Sequence, residues 1–532
     1  MTALISDFLK TVPENYISII VLFLQGKAFP AWSDKELGIA NKLIIKAISD
    51  VSGASEKTLK NTIRETGDTG LAAEKLLKNK TQSSLFTQEL TINKVHENLN
   101  KISEFSGTGT TKRKLKYVEE LISFANPAGA KYIVRLILEE LRLGVGEGVI
   151  RDAISSAYGV DAALVERGYS LVPDMGKIAT IAKLKGNSGL EDINLEPGTP
   201  MKVMLAQKID AIENAIADFG NCAYEIKYDG IRVQIHKNEN EIKLFTRRLE
   251  NVTKQFPEIV KSARENINAE SAIVEGEAVA IRGGPAGRKP RPFQDLSRRI
   301  KRKYGIHEMI DKIPVEINLF DLIYLDGKSL INEKFMDRRI KLTKIITQTK
   351  TFRIAEQIIT DNITEADEFY KYSLSQGHEG VMVKNLDAPY KPGSRVGYMY
   401  KIKPVMETLD LVIVGATWGE GRRANWLASF LLGARDAETG KFLEIGRMGT
   451  GFTDEQFKEM TENLKPLITG EIGKEVTVKP GVVVEVAYEE IQKSPTYGSG
   501  YALRFPRLVR FRDDKGAEDA DTVERVNDLT GI

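Results

Sequence analysis

The sequence has a single cysteine, Cys222, among its 532 residues, and only four histidines. One thiol excludes an internal disulfide and any zinc site built on two or more thiolates. A chain of this size without disulfides fits a reducing compartment, so we expect the protein to be cytoplasmic. The histidines are scattered without metal-ligand spacing, and none is assigned a catalytic role.

Long apolar runs and a strong net charge are also lacking. No segment approaches the roughly 20 uninterrupted apolar residues that a membrane span requires, so we expect no membrane association. An apolar run does begin at Tyr16, and we interpret it as a buried helix. The 76 basic and 74 acidic residues give a net charge of +2. Attraction to nucleic acid would therefore have to come from local patches.

Changes in sequence pattern predict three domains. Residues 1–195 are helical in pattern. There the segment KYIVRLILEELRLG has amphipathic spacing, and Gly144 should end its helix. In residues 196–405, strands rich in Val, Ile, Tyr and Phe alternate with helices. Residues 406–532 contain mostly strands and one helix starting near Asp454, and five such strands would suit a small barrel.

The segment YEIKYDGIRVQIH, from Tyr224 to His236, places a lysine in an alternating apolar and polar pattern. The alternation predicts that Lys227 lies on a strand, and KNENE predicts a hairpin turn before IKLFTRR. Lys227 is followed closely by Asp-Gly and then by Arg232. Taken alone, this short pattern is better explained by an exposed lysine beside a turn.

Further charged and aromatic residues follow this lysine in a fixed order. Each alone has a structural explanation, because strand arginines are usually solvated and a phenylalanine is usually part of a core. The segments are TRR at 246–248, IVEGEAVAI with Glu275 and Glu277, LFDLIYLDG with Phe320 and Asp321, HEGVMVKN with Glu379 and Lys384, SRVGYMYKIKP with Arg395, Lys401 and Lys403, and LRFPRLVRFR with Arg504, Arg507 and Arg510.

Together and in this order, the segments resemble the covalent nucleotidyltransferases, specifically the ATP-dependent DNA ligases, and most closely their archaeal replicative form. The resemblance covers essentially the whole chain, from KYIVRLILEELRLGVGEG through PGTPMKVMLAQ and KYDGIR to EEIQKSPTYGSGYALRFPR. It implies an all-helical DNA-binding domain, a nucleotidyltransferase (adenylation) domain of antiparallel sheets with helices, and a C-terminal OB-fold β-barrel.

The resemblance implies an enzyme that seals nicks in duplex DNA during replication, repair and recombination. Lys227 would attack the α-phosphate of ATP and retain AMP. AMP would then pass to the 5′-phosphate at the nick, and the 3′-hydroxyl would displace it. An amine attacks only in its neutral form, so we expect nearby cations, Arg232 and a bound metal ion, to favour that form.

Charge neutralisation should dominate the barrier to attack on an anionic triphosphate. Glu277 and Glu379 are the candidates to hold Mg²⁺, because hard cations prefer carboxylate oxygen. Lys401, two residues from Lys403 and on the same strand face, would contact the α-phosphate.

The resemblance assigns the remaining nucleotide contacts. It implies that Glu225 lies beside the base and that Phe320 stacks on adenine. It also implies that Arg232 and Arg247 contact the sugar and phosphates, and that Arg395 reaches the phosphates.

Arg504 and Arg507 match the family's C-terminal element, which orients pyrophosphate as the leaving group. Rotation about a hinge near residues 404–407 would separate lysine adenylation from nick sealing. Both statements are implied by the resemblance.

Two turn-and-helix segments are candidates for holding nicked double-stranded DNA, which should be read through phosphates rather than bases. GTGTTKRKLKYVEEL offers amides at a helix start together with Lys112, Arg113 and Lys114. LGVGEG, with Gly144 and Gly146, would let the protein backbone approach a DNA strand closely. A helix cap and a solvated helix face are the alternative explanations.

Competing functions share part of this pattern. An mRNA-capping guanylyltransferase or an RNA ligase would have the lysine strand, but the long helical region argues against both, and capping needs GTP. An NAD-dependent DNA ligase usually carries a four-cysteine zinc module. A DNA-binding scaffold would have lost part of the catalytic set. A sliding-clamp contact stays open, since QSSLF at 82–86 is only a partial match, and we expect a monomer.

Overall fold

The computed structural model describes the chain except residues 79–89, 108, 283–288, 292, 301, 303–304, 405, 420–422, 424 and 531–532. The chain divides into two compact units, Met1–Lys403 and Pro404–Ile532. No helix within the described ranges combines the length and the apolar content that crossing a bilayer requires.

The first unit begins with helices only. The apolar run that starts at Tyr16 lies in the second of them, where Ile17 and Val21 are fully buried, so that prediction is confirmed. The helices are α1 (Thr2–Thr11), α2 (Glu14–Leu24), α3 (Asn41–Ser52), α4 (Glu56–Thr66), α5 (Thr69–Lys78), α6 (Ile92–Glu104), α7 (Thr110–Phe124), α8 (Pro127–Ile137), α9 (Glu147–Tyr158), α10 (Ala162–Leu171) and α11 (Met175–Glu191).

Helix α8 ends at Ile137, earlier than the predicted end at Gly144. Glu139 and Arg142 adopt left-handed backbone angles, with φ of 57° and 54°. This path brings the Arg142 guanidinium within 3.5 Å of the buried Asp68 carboxylate. The amphipathic pattern continues past the true end of the helix, because a local pattern does not record a contact with Asp68, which is distant in sequence.

The helices pack around two apolar cores. One core is formed by side chains of α3 to α8, including Ile44, Leu99 and Val134. The other is formed by α1, α2 and α9 to α11, and it also contains Ile323 and Met399 from later strands. Part of the helical region therefore packs directly against the sheets that follow it.

Two sheets and the helices that cover them complete the first unit. Their elements are β1 (Leu205–Lys208), α12 (Ile212–Phe219), β2 (Cys222–Ile226), β3 (Ile231–Asn238), β4 (Glu241–Thr246), α13 (Pro257–Asn266), β5 (Ser271–Arg282), β6 (Lys289–Pro290), α14 (Phe293–Ile300), α15 (Ile306–Lys312), β7 (Val315–Leu325), β8 (Lys328–Ser329), α16 (Phe335–Ile345), β9 (Phe352–Ile354), β10 (Gln357–Thr360), α17 (Ile363–Ser375), β11 (Val381–Asn385) and β12 (Arg395–Ile402).

The two sheets are mostly antiparallel. One has the strand order β1-β12-β11-β2-β10; the other has the order β4-β3-β5-β7-β8, with β6 beside β5 and β9 beside β7. The predicted hairpin is present between β3 and β4, where Asn238 pairs with Glu241 and Glu239 takes a left-handed φ of 52°. The last strand of the first sheet, β12, leads to the second unit.

The second unit is built mainly of strands. Its elements are β13 (Leu409–Trp418), β14 (Leu427–Arg435), β15 (Phe442–Met448), α18 (Asp454–Leu464), β16 (Ile468–Ile472), β17 (Glu475–Val478), β18 (Val483–Ala487), β19 (Glu490–Lys493), β20 (Tyr501–Arg504), β21 (Arg507–Phe511) and α19 (Val523–Thr530).

Five of these strands form a ring in the order β15-β14-β13-β18-β21, which a parallel bridge between Thr450 and Arg507 closes. This is a small closed barrel of the OB type. The helix predicted near Asp454 is present as α18, and a capping box of Thr453 and Gln456 starts it. The predicted fold class is confirmed, with a helical N-terminal region, a central domain of two mostly antiparallel sheets with helices, and a C-terminal sheet domain.

Candidate active site

Lys227 lies one residue beyond the end of β2, in the turn that connects the two sheets of the first unit. Its backbone N–H donates to the Gly380 carbonyl at 2.9 Å, and its own carbonyl accepts from the Glu379 N–H at 3.0 Å. The prediction of one continuous strand through Lys227 is wrong. The chain crosses to the other sheet at Gly230, where a Cβ atom would lie 2.3 Å from the Ala278 carbonyl oxygen.

The Lys227 ammonium forms an ion pair with the Glu379 carboxylate. Lys403 reaches the same carboxylate oxygen at 3.1 Å. Burial alone would raise the pKa of Glu379, but attraction to the two lysines lowers it below the ordinary value. The three side chains are each about one-fifth exposed, 19% for both lysines and 21% for Glu379, so the cluster is accessible to a ligand.

Glu277 lies on the middle of β5, opposite Arg232 of β3 and Asn318 of β7. Burial raises the pKa of the Glu277 carboxyl to about 8, although Lys227 and Arg232 oppose this rise. Glu379 repels Glu277 and contributes to the rise. The two glutamates that the sequence predicts as metal ligands are therefore near enough to interact.

The donor chemistry of Glu277 and Glu379 fits Mg²⁺. Within the described residues there is no group of three or more His, Cys, Asp or Glu side chains that could hold a metal ion. Mg²⁺ does not need one, because it typically keeps several waters and binds one or two carboxylates together with substrate phosphates. A cation beside Glu277 would also offset the burial and repulsion that raise its pKa.

Arg232 is fixed by a buried network. Its guanidinium donates to Glu275 at 2.6 Å, to the Met204 carbonyl at 2.8 Å and to the Tyr390 hydroxyl at 3.2 Å. Tyr390 in turn donates to Glu275 at 3.0 Å and accepts from the Met204 N–H at 2.9 Å. Glu275 is fully buried and pairs with Arg232, so it orients that guanidinium, whereas Glu277 is near enough to Lys227 for the two charges to attract.

Glu225 lies on β2 two residues before Lys227, and its carboxylate is buried. Lys384 of β11 pairs with it at 2.6 Å, and the Gln357 amide donates to it at 3.2 Å. The Lys384 ammonium also lies 4.8 Å from the centre of the Phe320 ring. The structure thus brings together Glu225 and Phe320, which the sequence predicts as base contacts.

Sequence reasoning did not assign a role to Tyr390, Gln357 or Lys384. Lys384 stands in the segment HEGVMVKN, on the same strand face as Met382. This strand position was the only feature of the sequence that could have indicated a role for Lys384. Tyr390 lies between β11 and β12, where no spacing rule connects it with Glu275.

The remaining predicted nucleotide contacts of the first unit lie on β12 or next to β4. Arg247 is exposed just after β4. Arg395 is exposed at the start of β12, and its guanidinium donates to the Ala206 carbonyl at 2.8 Å. Lys401, also on β12, is opposite Met382 of β11.

Arg504 and Arg507 belong to the second unit. Arg504 ends β20 and donates to Glu490 at 3.0 Å, whereas Arg507 starts β21 and is exposed. Phe505 between them takes a left-handed φ of 51°, so the chain turns sharply at this point.

The predicted DNA contacts divide into exposed and buried residues. Lys112 and Arg113 are exposed in the first turn of α7. Lys114 is not available in the predicted way, because it is buried and its ammonium donates to the Leu37 carbonyl at 2.6 Å. One helical turn carries both kinds of residue, since its inner face packs against the loop before α3.

Gly144 and Gly146 leave open space around the backbone before α9. A Cβ at either position would meet nothing within 4 Å, and Gly144 has a left-handed φ of 67°. The segment QSSLF, predicted as a partial clamp-binding match, lies outside the described residues.

Comparison with known proteins gives matches along most of the chain. Residues 1–155 match the family described as DNA ligase N terminus, residues 203–403 match ATP dependent DNA ligase domain, and residues 423–515 match ATP dependent DNA ligase C terminal region.

Whole-length relatives are similar as well. The chain is 48% identical to the DNA ligase of Thermococcus fumicolans, over 100% of this chain and 95% of that protein. It is 44% identical to the DNA ligase of Archaeoglobus fulgidus, over 99% and 94%. The solved structure described as "Pmar-Lig_Pre." has a TM-score of 0.53 and 21% identity, over 84% of this chain and 96% of that chain, which concerns the fold alone.

Proposed function

The chain belongs to the ATP-dependent DNA ligases and seals nicks in duplex DNA, and we propose that Lys227 is the residue that carries AMP. In the first step the Lys227 nitrogen attacks the α-phosphorus of ATP, a nitrogen–phosphorus bond forms, and pyrophosphate leaves with the electron pair of the broken bond. Because the Lys227 ammonium is paired with Glu379, this contact has to open and the ammonium has to release a proton to solvent before its nitrogen has a lone pair for attack.

In the second step an oxygen of the 5′-phosphate at the nick attacks the phosphorus of AMP, and Lys227 is the leaving group. The 3′-hydroxyl then loses its proton to solvent and attacks the phosphorus of the 5′-phosphate; the bond from that phosphorus to the oxygen of AMP breaks, and AMP leaves with the electron pair. Lys401 and Lys403 are the cations that we assign to the phosphate transferred in these steps. Lys403 supports this role through its contact with Glu379 at 3.1 Å, next to the nucleophile.

Glu277 and Glu379 would hold Mg²⁺, which neutralises phosphate charge when it is bound. The raised pKa of Glu277, about 8, supports this assignment. Burial and repulsion from Glu379 disfavour the charged form of this carboxyl, and a bound cation would stabilise it.

The remaining nucleotide contacts are assigned by position. Glu225 lies beside the base and Phe320 stacks on it, while Arg232 contacts the sugar and phosphates. Arg247 also contacts the sugar and phosphates, and Arg395 reaches the phosphates; both side chains are exposed.

Arg504 and Arg507 of the second unit orient pyrophosphate as it leaves. Lys112, Arg113 and the open backbone at Gly144 and Gly146 bind the phosphates of the nicked duplex.

We also propose that the protein acts as a cytoplasmic monomer, and a sliding clamp is a further candidate partner.

The observation that carries the proposal is the cluster of Lys227, Glu379 and Lys403 at the crossing between two sheets. Its test is incubation with ATP labelled at the α-phosphate and Mg²⁺ without DNA, after treatment with pyrophosphate to remove bound AMP. Wild type should retain label on a denaturing gel, and Lys227→Ala should retain none. Lys243→Ala, a surface lysine of β4, is the matched control and should label normally.

Two outcomes would contradict the proposal. Label on Lys227→Ala equal to wild type would place AMP on another residue. Label from GTP but not from ATP would favour a capping guanylyltransferase instead.

A further inference from the structure

Lys384 contacts both residues that we assign to the nucleotide base. Its ammonium lies 2.6 Å from a Glu225 carboxylate oxygen and 4.8 Å from the centre of the Phe320 ring. On another side it lies 4.6 Å from the centre of the Phe335 ring. Lys384 is buried, so these contacts are made without competing water. Cation–π and charge-paired contacts are strongest when desolvated.

The contacts of Glu225 determine which kind of hydrogen bond it can make with a ligand. Lys384 occupies one carboxylate oxygen, and the other accepts from Gln357 at 3.2 Å with Arg339 at 3.6 Å. A carboxylate has about four lone-pair positions and no donor. Glu225 therefore accepts hydrogen bonds from a ligand and cannot donate one.

Gln357 and Arg339 are themselves held in place. Gln357 is directly opposite Glu225 in the pairing of β10 with β2. The Arg339 guanidinium donates to the Leu319 carbonyl at 3.1 Å and to the Ala355 carbonyl. Lys384 is therefore the cation in this group that touches both Glu225 and the aromatic ring at Phe320.

We propose that Lys384 is a positioning residue that holds Glu225 and Phe320 in one arrangement, and that this arrangement selects a 6-aminopurine nucleotide over a 6-oxopurine nucleotide. The exocyclic amino group of adenine donates to a fixed carboxylate. The O6 atom of guanine is an acceptor and would face the same carboxylate with no hydrogen between them. A buried polar group left unpaired by the wrong ligand is a strong basis for rejection. This inference rests on the proposed function, because it takes the base to lie between Glu225 and Phe320.

The test compares lysine labelling from α-labelled ATP and α-labelled GTP, with kcat and KM measured for each. Lys384→Met keeps the length of the side chain and removes its charge. We expect KM for ATP to rise by about tenfold with kcat changed less than about threefold, and the preference for ATP over GTP to fall by about tenfold. Loss of a fixed base contact affects binding and selectivity more than the attack itself.

Lys237→Met is the matched control. Lys237 is also a buried lysine of a sheet, but its ammonium donates to the Ile267 carbonyl at 2.6 Å, within the core of the other sheet. This variant should keep the wild-type preference for ATP. An equal loss of preference in Lys237→Met would assign the effect to general loosening and overturn the proposal.

Glu225→Gln tests the same idea without altering Lys384. Its amide can donate to O6, so we expect GTP to gain relative to ATP by about tenfold. An unchanged ratio in this variant, or in Lys384→Met, would overturn the inference while leaving the lysine-adenylation proposal in place. Absence of label on wild type with ATP would instead overturn the proposed function.

Discussion

Lys227 and Glu379 are joined twice, through the backbone and through the side chains. The Glu379 N–H donates to the Lys227 carbonyl at 3.0 Å, and the Glu379 carboxylate pairs with the Lys227 ammonium. The backbone bond fixes the distance between the two Cα atoms, so the side chains meet without a large loss of entropy. The proposed nucleophile and a proposed metal ligand are thereby placed together, just beyond the paired ends of β2 and β11.

Replacing Glu379 should therefore impair adenylation directly. Glu379→Gln removes the charge that Lys227 and Lys403 share and one of the two carboxylates assigned to Mg²⁺. We expect lysine labelling to slow by about 10²–10³-fold, the range found when one electrostatic group at a reacting centre is removed. The Mg²⁺ concentration for half-maximal labelling should rise. Both quantities are read from the rate of label incorporation over a Mg²⁺ titration.

Glu356→Gln is the control for this substitution, because Glu356 is a partly exposed glutamate in an ion pair with Arg353 at 3.5 Å. It should label at the wild-type rate. If Glu379→Gln also labels at that rate with an unaltered Mg²⁺ requirement, the role of Glu379 is wrong.

Tyr390 should contribute to stability through its hydroxyl. Tyr390→Phe removes the hydrogen bonds to Glu275 and to the Met204 N–H while keeping the ring. Because the partners stay buried, we expect a loss of about 1–3 kcal/mol in the free energy of unfolding. KM for ATP should also rise, since Arg232 loses one of its supports. Urea denaturation and labelling kinetics measure the two effects.

Tyr398 supplies the comparison. Its hydroxyl is buried and has no hydrogen-bond partner within the described part of the chain. Tyr398→Phe should be neutral or slightly stabilising, because it removes a buried polar atom without removing a hydrogen bond. A similar loss of stability for both tyrosine variants would show that hydrogen bonding is not the cause.

The pH dependence of stability should report His236. Burial lowers the pKa of His236 from 6.5 to about 3, and nearby Lys243 adds to this. The neutral ring accepts from the Gly198 N–H at 3.1 Å. Because the unfolded chain binds the proton more tightly, the contribution is fully present above about pH 6.5. It is lost as the pH falls from there toward 3, by up to about 1.4 kcal/mol per pH unit.

His236→Gln, which cannot take up this proton, isolates the effect. The difference in unfolding free energy between wild type and variant should be constant from pH 7 to 8 and should shrink below pH 6.5. Urea denaturation at several pH values measures it. A difference that stays constant down to pH 5 would mean that His236 is protonated in the folded state.

The sequence predicted elements well where one local pattern decided the structure. The buried helix at Tyr16, the hairpin after His236 and the helix at Asp454 are such cases. The sequence did less well where distant residues decided it. The end of α8 depends on Asp68, and the break after Lys227 depends on the close approach of Gly230 to Ala278. Alternation cannot record either contact.

The candidate site shows the same division. Motif order predicted Glu277 and Glu379 as a pair, because both stand in segments that carry the resemblance. It could not predict that Tyr390 supports Arg232, or that Lys384 lies between Glu225 and Phe320. Those contacts come from the packing of loops and strands that are far apart in sequence. The burial of Lys114 was missed for the same reason, since it depends on the Leu37 carbonyl.

The basic turn of α7 should separate DNA binding from stability. Lys112 and Arg113 are exposed, and replacing both with alanine should weaken binding to nicked duplex without changing the unfolding transition. For every phosphate that the protein no longer neutralises, the slope of log K against log salt should become shallower by about 0.9.

Lys114→Met should instead cost about 1–3 kcal/mol of stability, because the buried Leu37 carbonyl loses its donor. Fluorescence anisotropy of a labelled nicked duplex over a salt series, together with urea denaturation, distinguishes the two effects. If Lys114→Met lowers the salt slope as removal of a phosphate-binding lysine would, this lysine turns outward on DNA and its buried position belongs only to the free protein.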